Sequence, residues 1–473
     1  MTLRPRIIGR IAFEEWRLML RNRVALAAGA LTAILLVTAS WVSHEQREAL
    51  AATRAHYQAL VDKQFDAQPD RHPHRMVHYG HFVFRPLPAL AFFDPGVDAF
   101  TGNMLFVEGH RQNSAMFAEA RQSSLLLRFG QLTPAFVLQT LVPLLLVFLG
   151  FASVARERER GNLRLMLAQG VAPGALLIGK WLSLAGIAAV VAFPASLALA
   201  VSVVAGTASA GSAAALIAVY GLYLAVWVSL TVLVSAWAGS GRNALLILIG
   251  FWIASTMMLP RTAPAIAQAE HPLPTRIEMD IAVHRDALAI GDSHDPADPY
   301  YADFKRKTLE RYGVSRVEDL PVNYAGLLSA EGERLTSGIH DRHSARGFGI
   351  ERAQSARAAD FGWVSPVMSV RQASMALAGT DLAAYQGFLV EAERYRYGLI
   401  QALNAMHAEK VRFDGDKNHR ISHAHWKTLP EFRPVPSTGG DPANAGRAVA
   451  VLAVWTVLLA GLLTWRGHRR GGL

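Results

Sequence analysis

A charged segment between two long apolar runs constrains this 473-residue chain more than any other feature. Residues 156–180, RERERGNLRLMLAQGVAPGALLIGK, carry five Lys or Arg residues and two Glu residues, whereas 133–155 and 181–238 contain no charged residue. A helix needs about 20 apolar residues to cross the hydrocarbon core of a bilayer. The segment is therefore predicted to be a loop held at a membrane surface, and its basic excess predicts the cytoplasmic side.

The composition supports a membrane protein. Hydrophobic residues make up 52% of the chain, which is unusually high for a soluble protein with such long apolar runs. The net charge of +10 is concentrated at the ends of these runs, so it indicates membrane topology rather than a nucleic-acid partner. The absence of cysteine excludes disulfides, thiolate metal sites and a cysteine nucleophile.

The apolar runs predict a mainly α-helical, polytopic membrane protein with six spans, at 24–42, 133–155, 181–204, 213–238, 244–260 and 447–465. Residues 1–23 are predicted to form an amphipathic helix on the cytoplasmic surface, with Glu15 as a misfit on its apolar side. A cleaved signal peptide is the alternative for this N-terminal stretch. An even number of spans places both ends, including the tail 466–473, in the cytoplasm.

The two polar stretches, 43–132 and 261–446, are predicted to be extracytoplasmic domains of α or α+β structure. In the second, 381–411 has the pattern of an amphipathic helix and 434–442 that of a linker. Residues 365–371, with Met375 and Leu377, are predicted to form an amphipathic helix. That helix lies either against the outer leaflet or within the domain.

Neither the spans nor the loop contains a motif for proton coupling or ATP hydrolysis that would drive transport. The apolar cores of the spans lack ionisable residues, which argues against a proton-coupled pump and leaves sodium sites built from backbone carbonyls as the alternative. Residues 174–180 fit the spacing G-x-x-x-x-G-K of a phosphate-binding loop, but Trp181 follows where a Ser or Thr is needed and no strand precedes. We therefore expect no nucleotide binding and no ATPase activity from this chain itself.

The loop 156–180 contains a short helical pattern that suits docking to a partner. Leu163, Met166 and Leu167 share one face, with Arg160 and Arg164 on the other side. Apolar side chains on a projecting helix suit the groove of a partner protein. The alternative is a topology-setting loop with incidental leucines.

The same loop resembles a family signature. RERERGNLRLML followed by LLIGK is similar to E-R-E-x-G-T-L-x-x-L-L … L-L-x-G-K, the signature of permease subunits of type-2 ABC exporters, with Asn162 in place of the usual Thr. The basic N-terminal helix and six spans are also features of that family. Large inserts after spans one and five, with the stretches 78–86, 94–102 and 318–326, resemble an uncharacterised branch of it. The resemblance covers essentially the whole chain.

This resemblance implies a multi-pass permease of the bacterial inner membrane that exports a substrate it does not identify. It implies a separate cytosolic ATPase subunit that carries ATP and Mg²⁺, no cofactor on this chain, and a homodimer or a pairing with a related permease. The residues it implies for coupling to the ATPase are Glu157, Glu159, Gly161, Leu163, Met166, Leu167, Gly179 and Lys180. The alternative function is a non-transporting membrane scaffold whose outer domains bind a cell-envelope partner.

Two further groups of residues invite a chemical interpretation. The histidines of 72–81, namely His72, His74, His78 and His81, are candidate ligands for copper or zinc, and Met76 suits Cu(I). The alternative is a solvated loop, because the interleaved Arg71, Arg75 and Arg85 repel cations. The acidic set Asp94, Asp98, Glu108 and Glu119, with His110, lacks a catalytic motif and is interpreted as surface charge and turn chemistry.

Overall fold

A computed structural model describes residues 5–116, 118, 131–291, 295, 297–434 and 439–468, which are mainly helical. Two strands, β1 (His81–Phe84) and β2 (Met104–Val107), form an antiparallel pair. In chain order the helices are α1 (Pro5–Arg21), α2 (Arg23–Asp66), α3 (Pro73–Tyr79), α4 (Pro134–Phe136 and Val142–Gly150, joined by a π-helical turn at Val137–Leu141), α5 (Ala155–Glu159), α6 (Asn162–Ala168), α7 (Pro173–Val204), α8 (Ala210–Trp237), α9 (Gly241–Ile253 and Leu259–Glu270, joined by a π-helical turn at Ala254–Met258), α10 (Arg276–Ile290), α11 (Pro299–Tyr312), α12 (Tyr324–Asp360), α13 (Pro366–Ala378), α14 (Leu382–Lys410) and α15 (Pro442–His468).

Within the described residues, six helical segments are long and apolar enough to cross a membrane: α2, Pro134–Glu159, α7, α8, Gly241–Glu270 and α15. In α8 and Pro134–Glu159, 61% of the most apolar 18-residue stretch is buried inside the protein. In the other four segments the corresponding share is 17% to 28%. These two segments are therefore central in the bundle. The other four expose large apolar side chains, such as Val37, Phe193, Leu246 and Val457, as a lipid-facing surface does.

Several helices extend beyond the predicted spans. The first continues from the apolar run through Asp66, because 43–66 contains helix-forming Ala, Glu, Gln and Leu and neither Pro nor Gly. The third begins at Pro173 instead of 181, and the fifth continues to Glu270 instead of 260. The composition marks where each helix leaves the apolar region, whereas the helix ends are set by caps such as Asn22, which accepts from Val24 N and Ala25 N.

The two predicted outer domains pack into one unit, which we call the insert domain (67–116 and 276–434). Residues of both stretches contribute to the same hydrophobic clusters. One cluster joins Val83 and Leu105 of the two strands to Phe388 of α14, and another joins Met76 of α3 to Leu403. The predicted helix at 381–411 is confirmed as α14 (Leu382–Lys410). Among the described residues, both clusters draw on the two stretches together, so the structure shows one packed unit where two domains were predicted.

Helix α13, predicted at 365–371, packs against the apolar bundle. Val367, Val370 and Ala373 belong to the cluster that contains the buried residues of α4, α7 and α8. Tyr220 of α8 is hydrogen bonded to Ser374 at 3.0 Å and to Gln139 at 2.7 Å. The helix is therefore the part of the insert domain that packs on the apolar bundle, and it joins that domain to the bundle.

The predicted linker 434–442 lies partly outside the described residues, since 435–438 are not among them. Its last residues are held in place: Gly440 N donates to Ala376 O at 2.6 Å, and Asp441 N donates to the Asp381 carboxylate at 2.9 Å. Residues 469–473 of the predicted tail also lie outside the described part.

Candidate functional site

The segment between α4 and α7, residues 154–172, is the candidate site, and we call it the connector. It contains α5 and α6, separated by Gly161 at φ 76° and followed by Gly170 at φ 88°. A Cβ at either glycine meets no atom within 4 Å, so the left-handed backbone, rather than lack of space, requires glycine there. The two glycines let the chain turn sharply before and after α6.

The charged residues of α5 bind the ends of neighbouring helices. Arg158 donates to Ala236 O at 2.5 Å and to Ala238 O, at the C-terminus of α8. Glu159 Oε1 accepts a hydrogen bond of 3.0 Å from Gly241 N, at the N-terminus of α9. Each charge has the sign that complements its helix dipole, and each satisfies backbone groups that the helix leaves unpaired. The predicted coupling residue Glu159 thus holds the α8–α9 turn to the connector.

The connector is also fastened at its start. Ser235 Oγ of α8 accepts hydrogen bonds from Val154 N at 3.0 Å and Ala155 N at 3.2 Å, both buried. The predicted coupling residue Glu157 is half-buried on α5. A shift of α5 would therefore be passed directly to α8 and α9, because the hydrogen bonds join all three.

Helix α6 turns its predicted apolar face toward the protein. Leu163 is only 2% exposed, and Met166 and Leu167 are half-buried. The prediction that Leu163 is presented to a partner is wrong, since the face it shares with Met166 and Leu167 anchors the helix. The outward apolar side chain is Leu165, which is 59% exposed. Sequence reasoning missed it because one turn of amphipathic pattern does not say which face is covered.

The exposed face of the connector combines Leu165 with basic residues. Arg156, Arg160 and Arg164 are all exposed, as is Arg242 at the start of α9. This combination of one large apolar side chain and several guanidinium groups is available to a partner protein. A docking function for the connector would use these exposed side chains.

Helix α1 packs along the first turns of α7. A Cβ at Gly179 would lie 2.6 Å from Ile11 Cγ2, so the glycine permits the close approach of the two helices. Trp16 Nε1 donates to Ser183 O at 2.8 Å. Lys180, 3% exposed, forms an ion pair of 2.7 Å with Glu15. The predicted misfit Glu15 is thereby explained, because it faces the buried lysine.

The same contacts involve 174–180, the segment that fits the spacing of a phosphate-binding loop. Lys180 is already paired with a carboxylate, and Ile11 fills the space beside Gly179. The segment is the first part of helix α7, which starts at Pro173, so it has no loop whose backbone N–H groups surround an anion.

The end of α15 meets the C-terminus of α8 and the start of α7. Arg466 Nη2 donates to Ala236 O at 3.2 Å, and Gly467 lies against Gly174. The insert domain packs toward the opposite end, where Tyr220, in the N-terminal half of α8, contacts α13. The bundle therefore has one basic end, formed by the connector and α1, and one end that carries the insert domain.

The four histidines predicted as one metal site are separated in the structure. His81 pairs with Asp62 at 3.1 Å, and His72 lies 3.5 Å from Asp416. His74 and His78 face each other. Burial, followed by the neighbouring histidines, lowers the pKa of His74 to about 4. The predicted set of four is wrong, and the partner that it missed is His110, which lies close to His74 and His78.

The acidic residues grouped by sequence are not surface charges throughout. Asp98 is buried in an ion pair of 2.5 Å with Arg85, and Asp94 is buried with Oδ1 accepting from Gly96 N at 3.0 Å. Burial is the main cause that raises the pKa of Asp94. Glu108 contacts Arg111 at 3.5 Å, and Glu119 lies outside the described residues. These groups hold turns and tertiary contacts together.

Comparison with known proteins adds one match. Residues 276–434 match the model of a family described as "Domain of unknown function (DUF3526)". The matched range begins at the first residue of α10 and includes α14, so it covers most of the insert domain and none of the connector. No curated protein matches the chain.

Proposed function

We propose that this chain is the permease subunit of an ABC-type exporter in a bacterial inner membrane, with the connector as the contact for a separate ATPase subunit. In this proposal the six apolar segments cross the membrane, and the insert domain lies outside. The chain itself binds no nucleotide and performs no hydrolysis. ATP and Mg²⁺ reside on the cytosolic partner.

The observation that carries the proposal is the concentration of exposed basic residues at one end of the bundle. Arginines of α1, of the connector and of the α8–α9 turn share this end: Arg6, Arg10, Arg17, Arg21, Arg156, Arg160, Arg164 and Arg242. Lys and Arg beside membrane spans mark the cytoplasmic side. This orientation places both chain ends and the connector where a cytosolic ATPase is accessible.

The packing of the connector supports a coupling role. Its outward face offers Leu165 among arginines, while Arg158 and Glu159 hold it to the ends of α8 and α9. A partner that moves α6 would move two central elements of the bundle with it, since these contacts leave little independent motion. Two such bundles, from a second copy or a related permease, would enclose the export pathway.

Co-purification tests the proposal. Full-length protein is tagged and isolated in mild detergent from its own membranes, and bound proteins are identified by mass spectrometry with an ATPase assay. We expect a stoichiometric nucleotide-binding subunit with the wild type and its loss with Leu165→Asp, because a buried carboxylate opposes docking. Ile277→Asp is the matched control, since Ile277 is an apolar side chain 70% exposed on the insert domain. Envelope proteins without an ATPase would contradict the permease and support the scaffold.

A further inference from the structure

We propose that His74, His78 and His110 form a binding site for a borderline divalent cation, Zn²⁺ or Cu²⁺. One ligand nitrogen of each histidine lies within 4.8 Å of the other two. Three imidazoles with an open fourth position are an established ligand set for such ions. The inference concerns the insert domain alone, so it holds or fails independently of the permease function.

Helix α3 supplies two of the ligands. His74 and His78 are one turn apart and lie on the same face, with their Nε2 atoms 3.2 Å apart. Two nitrogens bound at about 2.0–2.1 Å to one tetrahedral ion are separated by roughly 3.3 Å. Met76 and Val77 are fully buried in the core on the other sides of the helix, which fixes the orientation of the pair.

The third ligand is held in a costly backbone conformation. Among the described residues, His110 is the one non-glycine residue with positive φ, at 67°. The preceding Gly109 lies against Val77, where a Cβ would come within 2.2 Å of Val77 Cγ1, and Gly109 N donates to Val77 O at 3.1 Å. Such strain persists where the surroundings impose it and is frequent at ligand sites. Here it brings the His110 ring to 5.3 Å from that of His78.

A buried carboxylate lies behind His110. Glu333 Oε2 accepts from His110 N at 2.9 Å and lies 3.6 Å from His110 Nδ1, which leaves Nε2 for the cation. Glu333 is in turn held by Arg396 Nη1 at 2.5 Å and by Ser337 at 3.0 Å. At 3.6 Å the carboxylate is beyond hydrogen-bond distance of Nδ1, but a negative charge beside the distal nitrogen of a ligating histidine makes it a better ligand.

The neighbouring cluster of His72, His407 and Asp416 combines two imidazoles with one carboxylate. His72 Nδ1 accepts from His74 N at 3.1 Å, so in the neutral ring the proton is on Nε2, which faces Asp416. His407 Nε2 lies 2.7 Å from the same Asp416 oxygen. Both rings thus face one oxygen of Asp416, and the proposal is confined to the three-histidine site.

The ligand set also selects the class of ion. The chain has no cysteine, and Met76 is buried away from solvent, so neither thiolate nor thioether is offered to Cu(I). Two of the arginines expected to repel a cation are occupied elsewhere: Arg85 pairs with Asp98, and Arg71 lies over the Tyr79 ring. His78 and His110 are exposed, so an ion can enter from solution and keep a water ligand.

Calorimetric titration with ZnCl₂ and, separately, with CuSO₄ tests the site. The full-length protein is purified for this purpose with an affinity tag that contains no histidine. We expect saturable binding of one ion per chain by the wild type, with either metal. His78→Gln and His110→Asn should each abolish it, and asparagine is chosen because it tolerates positive φ. His56→Gln, at an exposed histidine of α2, is the control and should bind as the wild type does.

Two further readouts separate a cation site from a histidine–histidine hydrogen bond. The ion should raise the Tm of the wild type and the control but not that of the two site variants. Glu333→Gln should bind the ion about 10–100-fold more weakly with unchanged stoichiometry, whereas a purely structural Glu333 would leave the affinity as it is. Absence of saturable binding to the wild type, or wild-type binding by His78→Gln and His110→Asn, would overturn the proposal.

Discussion

The two ends of this molecule use charged residues in different ways. At the connector end, Arg158 and Glu159 bind the termini of α8 and α9 and many arginines remain exposed. In the insert domain, Arg396 and Glu333 form an ion pair that is 3% and 1% exposed and joins α14 to α12. Charges at helix ends each contribute little, whereas a buried pair is costly to break. The molecule therefore has exposed arginines at one end and a buried ion pair that joins two helices at the other.

Breaking the buried pair is the largest expected effect. Arg396→Met removes the partner of Glu333 and leaves a buried carboxylate uncompensated, which costs about 3–5 kcal/mol. Thermal unfolding in detergent, followed by limited proteolysis of the insert domain, measures the loss. The double variant Glu333→Leu/Arg396→Met should recover part of the stability, because the 1% exposed Glu333 charge is gone while Glu393, 18% exposed, still loses its bond to Arg396. A single variant as stable as the wild type would contradict the contrast between the two ends.

A smaller effect is expected where α1 meets α7. Gly179→Val places side-chain atoms where Ile11 lies, and overpacking of this kind costs about 1–3 kcal/mol. Release of α1 should appear as faster proteolytic cleavage within Pro5–Arg21, with the bundle still folded.

Gly221→Ala is the control for that experiment. Gly221 lies in α8, and a Cβ added to it would meet no atom within 4 Å, so alanine there should cost nothing and gain helix propensity of about 1 kcal/mol. Equal proteolysis of α1 in both variants would show that Gly179 is not needed for the contact.

The smallest effect is expected at the α8–α9 turn. Glu159→Gln keeps an acceptor for Gly241 N but removes the charge at the helix N-terminus, which costs about 0.3–1 kcal/mol. The change should leave co-purification of the ATPase intact, because the carboxylate acts within the chain. Loss of the partner with unchanged thermal stability would instead place Glu159 in the contact surface.

The sequence predicts the apolar helices well because long runs without charge leave few alternatives. It predicts α1 as amphipathic but does not identify the partner of Glu15, since Lys180 is brought beside it only by packing. The helix ends at Asp66 and Pro173 escape prediction because polar helix formers continue a helix beyond its apolar part.

In the candidate sites, too, the sequence predicts some features and the tertiary structure decides the others. The charge and the glycines of the connector locate it in the sequence, whereas the exposure of Leu165 and burial of Leu163 depend on neighbours distant in the chain. The i, i+4 spacing of His74 and His78 is visible in the sequence. The contribution of His110 is not, because a turn after β2 and the carboxylate of α12 bring it to α3.

The absence of natural cysteines allows the central claim, that the connector end is cytoplasmic and the insert domain is outside, to be tested directly. Leu165→Cys and Ile277→Cys each introduce one exposed thiol, for reaction with a membrane-impermeant maleimide in intact spheroplasts and in inverted vesicles. We predict labelling of Ile277→Cys in spheroplasts only and of Leu165→Cys in inverted vesicles only. Labelling of Leu165→Cys in intact spheroplasts would contradict the account, because no cytosolic ATPase reaches a connector on the outer side.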